Sequence, residues 1–339
     1  MTPGPALLIT IDTEGDNLWA RPSSITTENA RFLPRFQELC ARHGLKPTYL
    51  TNYEMAVCPI FQEFARAAVG KGAAEIGMHL HAWNSPPLDR PLTADDDDRH
   101  PPLIAYPAEV VRAKVGYMTG LLEDTFGIDV VSHRAGRWGL DGIYLRELAA
   151  QGYKVDCSVT PHMHWRYGKL GAGRQLIVDY RAAPELPYRP SREDVTRRGT
   201  SSVLELPMTV VSLDPPMLRR LRRRLAPSSL AARALARAFQ PYVWLRPRLG
   251  NLPRMLWLLD EVQRQGRSYA QLILHSSELM PGGSPYFPKP EDVESLYRDL
   301  DALFAYARRR FSGATLAEFA GSIAVSNAAS GAAAASSAA

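Results

Sequence analysis

His79 and His81 stand one residue apart in the stretch EIGMHLHAW. Side chains two apart on a strand point to the same side, so imidazoles at this spacing can share one ion. Two histidines and one carboxylate leave a coordination position for water, the pattern of a catalytic zinc. Asp12 and Glu14, in ITIDTEGD, are also two apart and can face one cavity. Carboxylates that close repel each other unless a cation lies between or beside them. One of the two can bind the metal while the other takes a proton from its water. Arg134, in SHRAGRWG, can orient a carboxylate base and hold its pKa down. His275, in LILHSSEL, can hand a proton to a leaving group.

Each of these has a plainer reading. A lone His-x-His arises often by chance, with one ring in the core and one at the surface. Arg134 suits a structural salt bridge, and Asp16 suits the cap of a following turn. A second His-x-His, His162 and His164, has no strand in front of it and reads as a substrate contact or plain surface. The weight comes from placement, because the candidates all follow segments that read as strands.

Those segments are short apolar runs. ALLITID (6–12), KPTYLT (46–51), AAEIGMHLH (73–81), DVVSHR (129–134), YKVDCSV (153–159), SSVLELPMTV (201–210) and SYAQLILHS (268–276) read as buried strands. Between them lie helical patterns at roughly 29–43, from Pro59, at 108–126, 140–152 and 251–266, and from Pro290 onward. Asp141 stands where it can cap the helix at 140–152. This alternation predicts parallel strands with helices outside, best fitted by an α/β barrel. In such folds the chemistry gathers at the C-terminal ends of strands, where Asp12, Glu14, His79, His81, His133, Arg134, Asp156 and His275 fall. Three stretches break the rhythm: the Pro-rich 84–107 with its Asp95 to Asp98 run, read as a solvated loop, the irregular 160–200, and 215–250. The chain reads as one barrel over 1–320 followed by a disordered Ala/Ser-rich tail at 321–339.

The totals set limits. With 339 residues, 45% of them apolar, the chain can bury the core of one large barrel. A formal charge of +5 and the absence of any binding motif of that class argue against a nucleic-acid partner. Cys40, Cys58 and Cys157 form no CxxC and read as reduced, buried thiols. The N-terminus lacks a basic start and a long apolar run, and no stretch approaches a membrane span, so a cytoplasmic location is expected. Between Pro215 and Leu259 there are ten arginines and no acid. The part at 216–239 reads as a basic amphipathic helix pair, either a solvated face over the barrel or a peripheral contact with anionic lipid at the inner membrane face.

Taken in order, the motifs resemble the polysaccharide deacetylases related to the nodulation protein NodB (carbohydrate esterase family 4). LLITIDTEGD is similar to that family's first motif, T-F-D-D-G. EIGMHLHAW is similar to its H-[ST]-x-x-H motif, SHRAGRWG to its arginine motif, and LILHSSE to its L-x-[IL]-H. GATLAEFA (313–320) resembles its closing segment, so the likeness covers about residues 6–320. The variant with HLHAW and LHSSEL is most similar to the deacetylase-like proteins of surface-polysaccharide gene clusters.

The resemblance implies a distorted (β/α)7 barrel, a divalent metal, usually Zn2+, and removal of acetyl groups from N-acetylated sugars. By position, Asp12 is implied as base, Glu14 and His79 as ligands, Arg134 as tether of the base, and His275 as acid. The chain departs from the family in three ways. Thr13 separates the two acids, Trp83 stands where the second histidine is expected, and the arginine motif lacks its proline. His81 takes the second ligand role by geometry, and Asp12 remains an alternative to Glu14 as ligand. The mechanism expected is attack of metal-activated water on an acetamide, with a backbone N–H near Gly136 on the oxyanion. One reading, tied to the basic segment 216–239, makes the sugar lipid-linked. Two other functions fit the same residues: deformylation or other amide hydrolysis on a lipid-linked amino sugar, and carbohydrate binding without turnover.

Overall fold

The computed structural model of the protein describes residues 4–22, 24–92, 96, 100–170, 174–226, 229–231, 234–235 and 241–323. Seven parallel strands form one curled sheet: β1 (Ala6–Thr13), β2 (Pro47–Thr51), β3 (Glu75–Leu80), β4 (Ser132–Ala135), β5 (Val155–Asp156), β8 (Leu204–Glu205) and β11 (Tyr269–His275). Their order is β11-β1-β2-β3-β4-β5-β8, as expected of a distorted (β/α)7 barrel. A short strand, β12 (Ser312–Ala314), pairs with the start of β1.

Alternation along each strand decides what the barrel holds. Leu7, Ile9 and Ile11 of β1 join the large core beneath the helices, while Ala6 and Leu8 belong to a smaller core closed by Leu316 and Phe319. Thr10 and Asp12 continue that inner column toward the C-terminal rim. On β3, Ile76, Met78 and Leu80 join the helix-side core, which turns His79 and His81 inward. Gly77 lies between, where a Cβ would fall 2.7 Å from the carbonyl oxygen of Ser132.

The outer layer matches the sequence pattern closely. Helices span Leu33–Arg42, Pro59–Gly70, Ala108–Phe126, Gly142–Ala150, Leu252–Arg264 and Pro290–Ala307. Asp141 caps the fourth of these, its Oδ1 accepting from the Tyr144 N–H at 2.8 Å.

Among the described residues, no strand ladder closes the sheet. Between β8 and β11 the gap is bridged by an excursion of the chain. The Gln271 N–H donates to Thr209 Oγ1 at 2.8 Å, and the Ile273 N–H donates to the Leu245 carbonyl at 3.2 Å. That excursion carries an antiparallel pair, β9 (Val210–Ser212) with β10 (Tyr242–Trp244), and the helix Pro216–Arg224.

Several sequence expectations need correction. The stretch 160–200 is not irregular throughout, because β6 (His164–Leu170) and β7 (Arg174–Asp179) form a hairpin there. Its signal was the period-two set Met163, Trp165, Tyr167. Asp96 is not a solvated acid. It is buried and accepts from the Leu92 N–H at 2.7 Å and the Tyr106 hydroxyl at 2.5 Å, while 95, 97 and 98 lie outside the described residues. The second half of the basic helix pair, and the Ala/Ser tail from 324 onward, also lie largely outside them; residues 321–323 continue a helix that begins at 316. All three cysteines are free and buried. Among the described residues, no helix is long and apolar enough to cross a membrane.

Candidate metal centre

The ends of β1 and β3 bring Glu14, His79 and His81 together, all buried. His79 Nδ1 lies 3.0 Å from the Arg134 carbonyl oxygen. A carbonyl only accepts, so the ring hydrogen sits on Nδ1 and the Nε2 lone pair faces the centre. His79 Nε2 and His81 Nε2 are 3.0 Å apart. Glu14 Oε2 lies 3.7 Å from the first and 3.4 Å from the second. Two ligands on a tetrahedral zinc at about 2.0–2.1 Å stand roughly 3.3 Å from each other, so the donor set has the span one ion requires.

The electrostatics point the same way. Burial, then the charges of Asp12 and Glu54, push the Glu14 carboxyl well above the usual range. Burial lowers the pKa of His79, and burial with the neighbouring His79 ring lowers that of His81. Neutral imidazoles facing a strained carboxylate fit a divalent cation, which relieves the repulsion and takes both lone pairs.

Asp12 is held otherwise. Burial alone would raise its pKa, but Arg134, with His79 and His275, overrides this and holds the carboxyl well below its ordinary value. Arg134 is fully buried, donating from Nη1 to Asp12 Oδ1 at 2.5 Å and from Nη2 to Thr10 Oγ1 at 2.6 Å. The free oxygen, Asp12 Oδ2, lies 3.6 Å from His275 Nε2 and 4.0 Å from His79 Nε2. Asp12 is therefore held ionised beside the three candidate ligands, with Oδ2 not engaged by Arg134.

His275, at the end of β11, has a partner the sequence did not indicate. Arg246 Nη2 lies 3.0 Å from His275 Nδ1 and donates at 2.9 Å to Glu278 Oε1. A guanidinium has no lone pair to offer, so Nδ1 accepts and the hydrogen of neutral His275 is on Nε2, facing Asp12. Burial and the adjacent Arg246 charge bring the His275 pKa down to about 3.

His133 and Asp156 are not at the rim. They pair with each other at 2.5 Å on the helix side of the sheet, both fully buried, and His133 Nε2 lies 2.7 Å from the Tyr144 hydroxyl. Successive residues on a strand face opposite ways, so Arg134 points inward and His133 cannot. Asp16 is structural, its carboxylate accepting from Thr26 Oγ1 at 2.8 Å and from the Glu28 and Asn29 N–H groups at 3.0 Å. His162 and His164 lie apart from the centre, lining a second cavity.

The cleft over the centre has a volume of about 390 Å3. Trp19, Trp83, Trp138, Trp165, Tyr167 and Tyr286 line it, and flat aromatic faces suit the apolar faces of sugar rings. Trp83, in the position where the resemblance expected a histidine, stacks on His81 with ring centroids 4.4 Å apart. The turn after β4 runs through Arg137 and Trp138, both at positive φ. That left-handed path lays Trp138 over the Arg134 guanidinium at 5.3 Å and beside Trp165. Gly136 begins the turn directly against the His81 ring and the Leu80 carbonyl.

No family model matches the chain, and no curated protein does. Solved structures match in shape. A "putative polysaccharide deacetylase" from Mycobacterium smegmatis superposes with a TM-score of 0.52 at 13% identity, over 96% of this chain and 93% of that one. A "putative glycoside hydrolase/deacetylase" from Parabacteroides distasonis gives 0.54 at 13% identity, over 94% and 71%. The chain thus has the NodB-type polysaccharide-deacetylase fold expected from its motifs.

Proposed function

We propose that the protein is a metal-dependent deacetylase of N-acetylated sugars, with Glu14, His79 and His81 holding a divalent ion, most simply Zn2+. The observation that carries this reading is the meeting of three ligand-type atoms beside a separate, ionised Asp12 in an aromatic cleft. A metal bound there supplies a Lewis acid and lowers the pKa of water toward neutrality.

The chain's own residues do the rest. Asp12, kept ionised by Arg134, takes a proton from the attacking water on Oδ2 as the water oxygen bonds to the acetamide carbon. Asp12 then returns that proton to the nitrogen as the C–N bond breaks, leaving acetate and an amine. For His275, the contact of Arg246 with Nδ1 favours a hydrogen-bond donor over the proton donor to the amine that the resemblance implies. Arg246 occupies Nδ1, so His275 works as a neutral hydrogen-bond donor from Nε2, holding the reacting group against Asp12. Backbone N–H groups of the Gly136 turn complete the site as donors to the developing oxyanion. The aromatic walls hold the sugar ring.

The substrate in this reading is lipid-linked. The helix Pro216–Arg224 buries none of its residues. Met217 is 84% exposed and Leu221 49%, one turn apart, with arginines on both flanks. An apolar stripe bordered by cations fits the surface of an anionic bilayer. Co-sedimentation with anionic vesicles at low salt tests this part, and no binding removes it.

The main test is acetate release from a panel of N-acetyl and O-acetyl sugars, with and without chelator, using Asp12→Asn as control. Metal-dependent release abolished in the variant supports the reading. Formate rather than acetate from an N-formyl sugar would reassign the acyl group. A protein that cannot be loaded with metal would be a binding protein instead.

A further inference from the structure

A second cavity, of about 230 Å3, lies outside the catalytic cleft, walled by His162, His164, Arg181, Arg219, Arg222 and Arg223 among others. Its size falls below the roughly 300–1,000 Å3 of pockets for drug-sized ligands, which suits a small group better than a whole sugar. The lining is cationic beyond its internal pairing. Arg181 is matched by Asp179 at 2.6 Å, Arg222 by Asp214 at 2.5 Å, and Arg267, behind the wall, by Glu185 at 2.5 Å. Arg219 reaches Glu185 only at 3.7 Å, and its buried Nε has no hydrogen-bond partner. Among the described residues, Arg223 forms no ion pair within 4.0 Å. His162, also on the wall, turns its Nε2 to Glu185 at 3.0 Å.

The cavity is joined to the catalytic cleft by a shared wall. On β6, His164 lines the cavity, while Trp165 and Tyr167 line the cleft. On β10, Tyr242 lines the cavity, while Trp244 packs against Trp138 and Trp165. A ligand with a sugar against the tryptophans can therefore present an adjoining group to the arginines.

We propose that this cavity is a subsite for a phosphate group carried by the substrate, so that the enzyme acts on a glycosyl phosphate. Guanidinium groups match phosphate oxygens in charge and in hydrogen-bond geometry. The phosphate subsite depends on the deacetylase reading only for where the sugar sits; the anion site stands without it.

The experiment has three arms on the full chain. In the first, metal-stripped protein is titrated with inorganic phosphate by calorimetry. Arg219→Ala/Arg223→Ala is expected to weaken binding at least tenfold. Arg220→Ala/Arg224→Ala, which removes equal charge outside the cavity, is expected to change it less than twofold. Circular dichroism establishes that both are folded. Absence of saturable binding to the wild type, or equal weakening in both variants, overturns the site. The second arm compares kcat/KM for an N-acetylhexosamine 1-phosphate and its methyl glycoside. A preference of tenfold or more for the phosphate, lost in the first variant, supports the proposal; turnover with no preference overturns it. Turnover of neither compound condemns the deacetylase reading, and the first arm still judges the cavity. The third arm uses phosphatidylglycerol vesicles. If the cavity variant loses vesicle binding while keeping any preference for the sugar phosphate, the cavity serves lipid headgroups and the substrate assignment is wrong.

Discussion

Gly136 is pressed so closely against His81 that a Cβ on it would fall 2.3 Å from the imidazole Cδ2, with the Leu80 carbonyl oxygen at the same distance. Neither neighbour can yield, because His81 is backed by Trp83 and the carbonyl belongs to β3. Gly136→Ala is therefore expected to displace the His81 ring and lower metal affinity at least tenfold, a loss read by metal titration against a competing chelator. Unchanged affinity would mean that the turn is looser than described.

Removing a proposed ligand acts more directly. His79→Ala deletes a lone pair and opens a hole in the inner column. Mass-spectrometric metal content after equilibration is expected to fall to a small fraction of the wild-type value. Glu14→Gln keeps the shape but removes the anion, and should also reduce metal content. Full retention in Glu14→Gln would move the carboxylate ligand to Asp12.

Asp12 and Arg134 form a buried pair, and breaking such a pair leaves a bare charge worth about 3–5 kcal/mol. Asp12→Asn is expected to lower activity by about two to four orders of magnitude and to lower the melting temperature as well. Arg134→Met should destabilise comparably, while also raising the pKa of Asp12. The acid limb of the activity profile then moves to higher pH. A variant at position 134 with an unshifted profile would show that the arginine does not set the charge state of the base.

Arg246→Gln releases His275 Nδ1 while leaving the metal ligands in place. Activity should fall about 10- to 100-fold with metal content unchanged, and Arg246→Lys should recover part of it. A parallel loss of metal would assign Arg246 to the architecture of the centre instead.

Glu185 provides a pH test of stability. Burial opposes its ionisation, but the His162 hydrogen bond and the His162 and Arg267 charges bring its pKa from 4.5 down to about 2. A group whose folded pKa is depressed stabilises the fold above its unfolded pKa and loses that contribution as pH falls through the folded one. The difference in melting temperature between wild type and Glu185→Gln should therefore be largest above pH 4.5 and shrink toward pH 2. A difference that grows on acidification would contradict the pairing.

The parts legible in sequence were those with local signatures. β1, β3 and β11 are continuous apolar runs ending in polar residues, and their ends place Asp12, His79 and His275 at one rim. β5 and β8 are two residues long each, so their flanking apolar runs revealed them better than any strand pattern. The hairpin β6–β7 was hidden because its inward set is aromatic and its outward set is histidine and arginine, which reads as polar coil. Arg246 could not be found from its neighbours. It sits in a run of arginines and is singled out only because β10 returns to the barrel beside β11. His133 misled for the opposite reason: adjacency to Arg134 in the chain means opposition across a strand.

The barrel's unlaced seam has a consequence for how such a protein diversifies. One continuous excursion, from Thr209 to Leu245, is stitched at both ends to β11, and it supplies the helix Pro216–Arg224 and one wall of the arginine-lined cavity; Arg246 follows at once. Glu14, His79 and His81 all lie outside it, at the ends of β1 and β3. A change in the length or chemistry of that excursion is therefore expected to redirect what is recognised while leaving Glu14, His79 and His81 where they are.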